Sequence, residues 1–200
     1  ANNAPSIEAD NKRIYFGFQN TTAINQDPVI RAYNLDGTEA WTSVNATYEG
    51  GGPDGRATGL AWTGTTLYAT FTVDGGDTGS NLAQEARDAD TYWLRSYGSG
   101  GGAKASIIGI INPATGALEQ SAFLTAILNN GQTNTLLITN VTTNTAGNVV
   151  VTADSFFRPR QANGQPFQNQ ITTAGSPFTY TVELTPDLKR VVSTFAEGWT

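Results

Sequence analysis

The amino-acid sequence predicts an all-β fold, and three observations support this prediction. Glycine is abundant, at 22 of 200 residues, and only 14% of the residues are charged, a composition typical of turn-rich β proteins. Three segments alternate apolar and polar residues with the period of a β-strand. A strand, turn and strand pattern follows each of these segments. The sequence therefore predicts repeated small sheets in a single domain over residues 1–200.

The three alternating segments mark equivalent strands of the repeat. Ile14, Phe16 and Phe18 fall on one face of the first segment, RIYFGF, because successive side chains of a strand point to opposite faces. A shorter strand-like piece and a polar turn precede each segment, so that each repeat begins with two strands. The corresponding residues in the other two segments are Leu67, Ala69, Phe71 and Val73, and Val149, Val151 and Ala153.

Each segment is followed, after a loop, by an apolar strand that turns into a fourth strand. In the first repeat this turn is Asn34-Leu35-Asp36-Gly37, within YNLDGTEAW, and Asp-Gly is a common hairpin turn. Residues 112–116 and 184–187 correspond to it in the other repeats. Four successive antiparallel strands are what a propeller blade requires. The three blades are expected at residues 5–56, 57–132 and 133–197.

This strand and turn pattern resembles the repeats of bacterial β-propellers of the quinoprotein-like and SBBP type. In those repeats a sequence such as LDPATGALLW closes a blade, and INPATGALEQ stands in the corresponding place here. The tryptophan appears only at Trp41, which we expect to pack between blades, while Ala122 and Val192 are its counterparts. The resemblance implies a β-propeller-like array of three four-stranded antiparallel blades and carries no catalytic group across. A β-sandwich that imitates blades is the alternative.

Three blades are too few to enclose a central channel, since propellers normally have four to eight. A homodimer with six blades, a longer parent chain, or an open array whose free edges pair with neighbours would each complete the arrangement. We therefore expect the chain to associate with itself, as a homo-oligomer or as an edge-paired assembly.

Charge and composition narrow the partners and the chemistry. The net charge of -6, without a Lys/Arg cluster, argues against nucleic acid, and no apolar run is long enough for membrane insertion. The chain contains neither Cys nor His, which disfavours zinc, haem, thiol chemistry and catalytic triads. No cofactor is expected, with calcium on oxygen ligands as the exception. The start at Ala1 suggests a removed export signal, and hence a secreted, periplasmic or cell-surface protein.

Candidate binding residues lie in the loops between the second and third strands of each repeat. These loops are expected at 19–28, 74–104 and 158–177, on one rim, and long loops on one side usually carry binding residues. An aromatic plane beside carboxylates and an arginine suits a glycan. An alternative is that Trp93 and Tyr97 are buried and anchor the longest loop. The candidates are Asp88, Asp90, Tyr92, Trp93, Arg95, Tyr97, Arg158 and Arg160, with Asp74 and Asp77 for calcium.

The sequence thus predicts an exported, non-enzymatic binding or assembly module. It is expected to associate with itself and to present its long-loop rim to a protein or glycan partner. One alternative is a structural subunit of an extracellular filament or surface layer. Another is a carboxylate-dependent glycan-active enzyme, since acid and base catalysis would here depend on Asp and Glu.

Overall fold

The computed structural model has an all-β fold, as predicted. The strands form antiparallel sheets, and helix within the described residues is limited to two short pieces, α1 (Asn81–Glu85) and a 3-10 turn (Tyr92–Arg95). Neither piece has the length and apolarity of a membrane-spanning helix, which holds for the described part of the chain. The residues that the structure describes are 6–21, 26–43, 54–75, 79–100 and 104–200.

Three four-stranded antiparallel sheets contain most of the strands, and in each sheet the strands lie in chain order. Sheet 1 consists of β1 (Ser6–Ala9), β2 (Arg13–Thr21), β3 (Gln26–Asn34) and β4 (Glu39–Ser43). Sheet 2 consists of β5 (Gly55–Trp62), β6 (Leu67–Asp74), β7 (Lys104–Ile111) and β8 (Leu118–Leu124). A two-stranded ribbon follows, of β9 (Ala126–Ile127) and β10 (Thr133–Asn134). Sheet 3 consists of β11 (Leu136–Thr143), β12 (Val149–Ser155), β13 (Phe178–Leu184) and β14 (Val191–Ala196).

These sheets confirm the all-β prediction, whereas the closed arrangement of a propeller is not shown. None of the described sheets closes on itself. The turn between the third and fourth strands has one residue with a left-handed backbone in each sheet, namely Gly37, Gly116 and Leu188. A backbone hydrogen bond closes each of these turns, from Asn34 to Thr38, from Asn112 to Ala117 and from Thr185 to Arg190, which indicates that the three turns are equivalent.

Sheet 2 lies between the other two sheets and has both faces buried. One face packs with Tyr15, Ile30 and Ala32 of sheet 1, and the other packs against sheet 3. The residues that face sheet 1 include Leu67, Ala69, Phe71 and Val73, and those of sheet 3 that face sheet 2 include Val149, Val151 and Ala153. The alternating segments of the second and third repeats therefore each turn their apolar face toward the preceding sheet.

Hydrogen bonds join sheet 1 to a turn of sheet 2, and sheet 2 to a turn of sheet 3. The indole nitrogen Nε1 of Trp41 donates to the carbonyl oxygen of Pro113 over 3.0 Å. The hydroxyl of Tyr68, in sheet 2, donates to the carbonyl oxygen of Pro186 over 2.8 Å. Both acceptors lie in the turn between the third and fourth strands. The prediction that Trp41 packs between repeats is thereby confirmed.

The prediction of a long loop at residues 19–28 is wrong. Strands β2 and β3 remain paired as far as Thr21 opposite Gln26, so only four residues separate them. The end of this hairpin is polar, and its pairing is supported by hydrogen bonds instead of apolar packing. The backbone N–H of Gln26 donates to Asp54 Oδ1 at 3.1 Å, and Arg56 Nη2 donates to Gln26 Oε1 at 2.9 Å.

Candidate functional site

The first candidate site is the side of sheet 1 that is turned away from sheet 2, which we call the outer face. Its side chains line an open groove of about 820 Å³. In sheets 2 and 3 the equivalent side chains are buried against the preceding sheet. The residues of the outer face include Ile7, Ile14, Phe16, Phe18, Val29, Arg31, Tyr33 and Thr42, with Leu35 in the adjoining turn. Val29 is already buried, at 2% exposed.

The aromatic side chains of the outer face are held in place by one another. The Phe16 and Tyr33 rings meet edge to face, with centroids 5.7 Å apart and planes at 86°. The guanidinium carbon of Arg31 lies 5.7 Å from the centroid of the Phe18 ring. Edge-to-face pairs and cation–π contacts are each favourable by about 0.5–1.5 kcal/mol. These contacts favour the side-chain arrangement that the structure shows on this face.

Arg31 is the one cation among the described residues that line this groove, and it contacts polar neighbours on sheet 1. Arg31 Nη1 donates to Tyr33 Oη at 3.2 Å, and Arg31 Nε lies 3.6 Å from Glu39 Oε2. The hydrogen bond to Tyr33 and the charge of Glu39 raise the pKa of Arg31 above its usual value against a smaller opposing effect of burial. A partner that covers this exposed pair would have to desolvate it, which costs less than burying an unpaired charge but is still unfavourable.

Two apolar side chains of this region project far into solvent. Ile7 is 59% exposed and Leu35 is 64% exposed. Single exposed apolar residues are common, but an apolar groove flanked by such residues marks an interaction surface. The outer face is therefore a candidate interaction surface.

The second candidate site is the predicted binding rim in the longest loop, and its two largest candidates are buried. Trp93 is 7% exposed and Tyr97 is 1% exposed. Trp93 Nε1 donates to the carbonyl oxygen of Ala162 at 3.4 Å, while Tyr97 belongs to the core that contains Phe123. The structure thus places both residues as anchors of the insertion, which is the alternative that the sequence left open.

Helix α1 positions this insertion on sheet 2. Ser80 caps the helix, since its hydroxyl accepts a hydrogen bond from the backbone N–H of Ala83 at 3.1 Å. Leu82 is fully buried, and Gln120 Nε2 on β8 donates to the carbonyl oxygen of Glu85 at 2.7 Å. A capped helix end and a buried apolar side chain fix the start of the loop.

Tyr92 is the predicted rim aromatic that faces solvent. It is 80% exposed, and the guanidinium carbon of Arg95 lies 5.7 Å from its ring centroid. Arg95 is itself held by a hydrogen bond from Nε to the carbonyl oxygen of Ala89, at 2.6 Å. Asp88 and Asp90 are exposed nearby in sequence, and Asp90 Oδ2 lies 3.8 Å from Arg190 Nε.

Arg158 and Arg160 hold the third loop to its surroundings. Arg158 Nη2 donates to the carbonyl oxygen of Leu128 at 3.4 Å. Arg160 Nη1 donates to the carbonyl oxygen of Gly164 at 2.8 Å, and its guanidinium carbon lies 5.8 Å from the Trp93 ring centroid. Burial lowers the pKa of Arg160. The structure therefore brings Arg160 and Trp93 together as a packed pair.

The predicted calcium residues are only partly within the described chain. Asp74 Oδ1 accepts a hydrogen bond from Lys104 Nζ at 2.6 Å, and Asp77 lies outside the described residues. Among the residues that are described, no group of three or more candidate ligands could hold a metal ion. Calcium at Asp74 and Asp77 stays a prediction.

Comparison with known proteins does not assign the chain to a family. No protein-family model matches the chain. No curated protein matches it in sequence either. The resemblance to propeller repeats consequently stays a prediction, and a function must be argued from the sites described above.

Sequence reasoning missed the outer face, although the signal was present. The alternation of Ile14, Phe16 and Phe18 correctly grouped these residues on one face. Since sheet 1 is the first of three stacked sheets, that face has no preceding repeat in the described chain to cover it. The apolar face of the first repeat in the sequence, which has no preceding repeat in the described chain to pack against, could therefore have been identified from the alternation.

Proposed function

We propose that this chain is a non-enzymatic binding and assembly module that associates with itself through the outer face of sheet 1. One observation carries the proposal: a face whose equivalents are buried in sheets 2 and 3 lines an open groove in sheet 1. Removing such an apolar surface from water is favourable by roughly 25 cal/mol per Å². A β-propeller-like stacking of the three sheets belongs to the same proposal.

The test is the mass of the chain in solution as a function of concentration. We expect the average mass in sedimentation equilibrium to rise with concentration for the natural sequence. Replacing Phe16 and Phe18 by Ser should keep the chain monomeric, because the variant loses most of the aromatic area of the groove. A matched control is Phe195→Ser, since Phe195 is 64% exposed on sheet 3, and it should associate like the natural chain.

Circular dichroism separates loss of association from loss of folding. If the double variant unfolds, Leu35→Ser offers a milder test, because Leu35 projects from a turn and is not part of a strand. A natural chain that stays monomeric throughout the concentration series would contradict the proposal. An association that the changes at Phe16, Phe18 and Leu35 leave intact would contradict the assigned surface.

A second proposed function is glycan or protein binding at the rim, supported by the exposed Tyr92 ring beside Arg95. An aromatic ring offers apolar contact to a sugar face, and a guanidinium donates to hydroxyl groups. A glycan array with the natural chain and Tyr92→Ala tests it. Binding to a sugar should be lost in the variant, and an array without any bound sugar would contradict the glycan form of the proposal.

Export to the cell surface, the periplasm or the medium is proposed from the sequence. The filament or layer subunit and the carboxylate-dependent enzyme remain alternatives, each with its own measurement. Electron microscopy at high protein concentration tests the first, and release of sugars from a panel of polysaccharides tests the second.

A further inference from the structure

We infer that the outer face of sheet 1 is covered by the outer face of a second copy, in a two-fold symmetric dimer that closes at two chains. This inference rests on the proposed function and goes beyond it, since it names the occupant and the symmetry.

The occupant is a β-sheet because the outer face of sheet 1 is equivalent to the face of sheet 2 that packs against a sheet. Ile14 pairs with Tyr33, the residue before the Asn34 turn. Leu67 pairs with Ile111, the residue before the corresponding turn at Asn112. Ile14 and Leu67 therefore hold the same place in their sheets, and the strand face that begins at Leu67 packs against sheet 1. Sheets that stack in this way interdigitate side chains from both inner faces.

Of the faces that a second copy could place against this outer face, its own outer face of sheet 1 is the best match. Both faces of sheet 2 are buried. The open face of sheet 3 is mostly polar, with Thr152, Thr181 and Glu183 in its middle and Leu137, Val150 and Phe195 as apolar members. Burying this face would be costly, because polar groups that leave water need new partners.

The hydrogen bonds of Glu183 show why the open face of sheet 3 is unsuited to packing against another sheet. Its Oε1 accepts hydrogen bonds from Asn144 Nδ2 and Asn148 Nδ2, both at 2.7 Å, and its Oε2 accepts one from Ser193 Oγ at 2.9 Å. The bonds from Asn148, Ser193 and Asn144 lower the pKa of Glu183. A sheet packed on this face would confront a carboxylate that is kept ionised.

The symmetry of the dimer follows because the outer face of sheet 1 is apolar, whereas the open face of sheet 3 is polar. A contact between sheet 1 and sheet 3 of successive copies would be head to tail and would extend into a ring or a filament. A contact between sheet 1 and sheet 1 uses the same patch on both chains and is complete after one partner. The structure therefore favours a dimer over the filament alternative.

The size of the contact sets its strength. Sheet 1 has strands of four to nine residues, which at about 3.4 Å per residue and about 4.8 Å between strands gives a face of roughly 440 Å². The two faces together reach about 900 Å², below the roughly 1,200 Å² of standard stable interfaces. We therefore expect a reversible dimer with a dissociation constant on the order of micromolar or weaker.

Salt should strengthen this dimer. Each chain carries a formal charge of -6, so two copies repel one another at long range. Added salt screens that repulsion, whereas it does not weaken apolar contact. A dimer held by ion pairs between the chains would respond in the opposite direction.

Cross-linking of single-cysteine variants tests the symmetry directly, because the natural chain contains no Cys. Ile7 and Thr42 lie on the two edge strands of sheet 1, in one row with Phe16 and Arg31. Phe195 marks the open face of sheet 3. Stacked sheets are about 10 Å apart, beyond the reach of a disulfide, so a short bis-maleimide is the appropriate reagent.

If the two sheets pack with their strands nearly aligned, the two-fold axis runs either across or along the strands, and these two axes make different pairs. An axis across the strands places Ile7 opposite Ile7, and an axis along the strands places Ile7 opposite Thr42. We expect a covalent dimer either with Ile7→Cys alone or in an equal mixture of Ile7→Cys and Thr42→Cys. The yield should increase with concentration and with salt, and it should exceed the yield of an Ile7→Cys and Phe195→Cys mixture.

The outcomes separate this inference from the proposed function. Preferential cross-linking of Ile7→Cys with Phe195→Cys, or a ladder of sizes in sedimentation, would overturn the symmetric dimer and leave self-association standing. A natural chain without any mass increase in sedimentation would overturn both. Association without cross-linking in either sheet 1 combination would also overturn the dimer, because it would place the contact elsewhere.

Discussion

Trp41 of sheet 1 donates its indole N–H to the carbonyl oxygen of Pro113, 3.0 Å away in a turn of sheet 2. The same relationship recurs one sheet further on, where the Tyr68 hydroxyl donates to the carbonyl oxygen of Pro186 at 2.8 Å. In each case an aromatic side chain of one sheet contacts the turn between the third and fourth strands of the next. These contacts join neighbouring sheets by a hydrogen bond from a side chain of one sheet to a main-chain carbonyl group of the next.

Removing one of these donors should weaken the stack by a measurable amount. Tyr68→Phe deletes the hydroxyl alone, and a lost hydrogen bond of this kind costs about 0.5–1.5 kcal/mol. Trp41→Phe removes the indole N–H together with part of the packed ring, so its cost should be larger, at about 1–3 kcal/mol. Urea unfolding measures both. The control Tyr92→Phe, at an exposed tyrosine, should stay within about 0.5 kcal/mol of the natural chain.

Gly116 should be far less replaceable than Gly37, although both occupy the same place in equivalent turns. Both have positive φ, at 76° and 85°, so Ala at either position costs about 1–2 kcal/mol of backbone strain. A Cβ at Gly116 would also lie 2.5 Å from the Trp41 ring, whereas a Cβ at Gly37 would have nothing within 4 Å. Urea unfolding of the two Ala variants compares them directly. Equal losses would mean that the contact between Trp41 and the turn contributes little.

Acid should destabilise the fold partly through Asp10. Burial opposes ionisation of this carboxyl, but hydrogen bonds from the Tyr15 hydroxyl and from the backbone amides of Lys12 and Arg13 outweigh it and hold its pKa below the usual value. A carboxyl with a lowered pKa stabilises the folded state above its unfolded pKa, and this contribution disappears as the pH falls through the folded value.

The variant Asp10→Asn measures that contribution. We expect it to be less stable than the natural chain at pH 7 and to lose less stability between about pH 5 and pH 2.5. Urea midpoints at a series of pH values provide the comparison. The control Asp88→Asn, at an exposed position of the insertion, should follow the natural chain. Parallel curves for Asp10→Asn and the natural chain would contradict the assignment.

Two adjacent residues of the insertion should behave in opposite ways. Trp93→Ala removes a buried ring that packs under Arg160, and such truncations cost about 3–5 kcal/mol. Tyr92→Ala removes an exposed ring and should change stability by no more than about 0.5 kcal/mol. Thermal unfolding of both variants checks this contrast. A large loss for Tyr92→Ala would mean that the ring is covered in solution.

Much of the fold could be predicted because a strand has a period of two. The alternation in RIYFGF and its counterparts located β2, β6 and β12, and the turn residues located the ends of the third strands. The extent of the first hairpin could not be predicted, because its end is polar and is stabilised by Asp54 and Arg56 from a distant part of the chain. Contacts of this kind leave no periodic pattern in the sequence.

The candidate site was harder to predict than the fold. Alternation shows that Phe16 and Phe18 share a face, but it cannot show whether another sheet covers that face. Likewise Tyr92 and Trp93 are neighbours in one 3-10 turn, and only tertiary contacts decide that Trp93 is buried while Tyr92 is exposed. Composition can nominate aromatic residues, whereas their accessibility depends on the packing of the whole chain.

The serial stacking of the sheets has a consequence for how the molecule opens. Sheet 2 has neighbours on both faces, whereas sheets 1 and 3 each have one packed face. In such linear arrays, stability is approximately a sum of the units and their nearest-neighbour contacts. Amide hydrogens of β6 and β7 should therefore exchange most slowly with solvent deuterium. Those of sheet 1 should become slower to exchange as protein concentration rises, if a second chain protects its outer face.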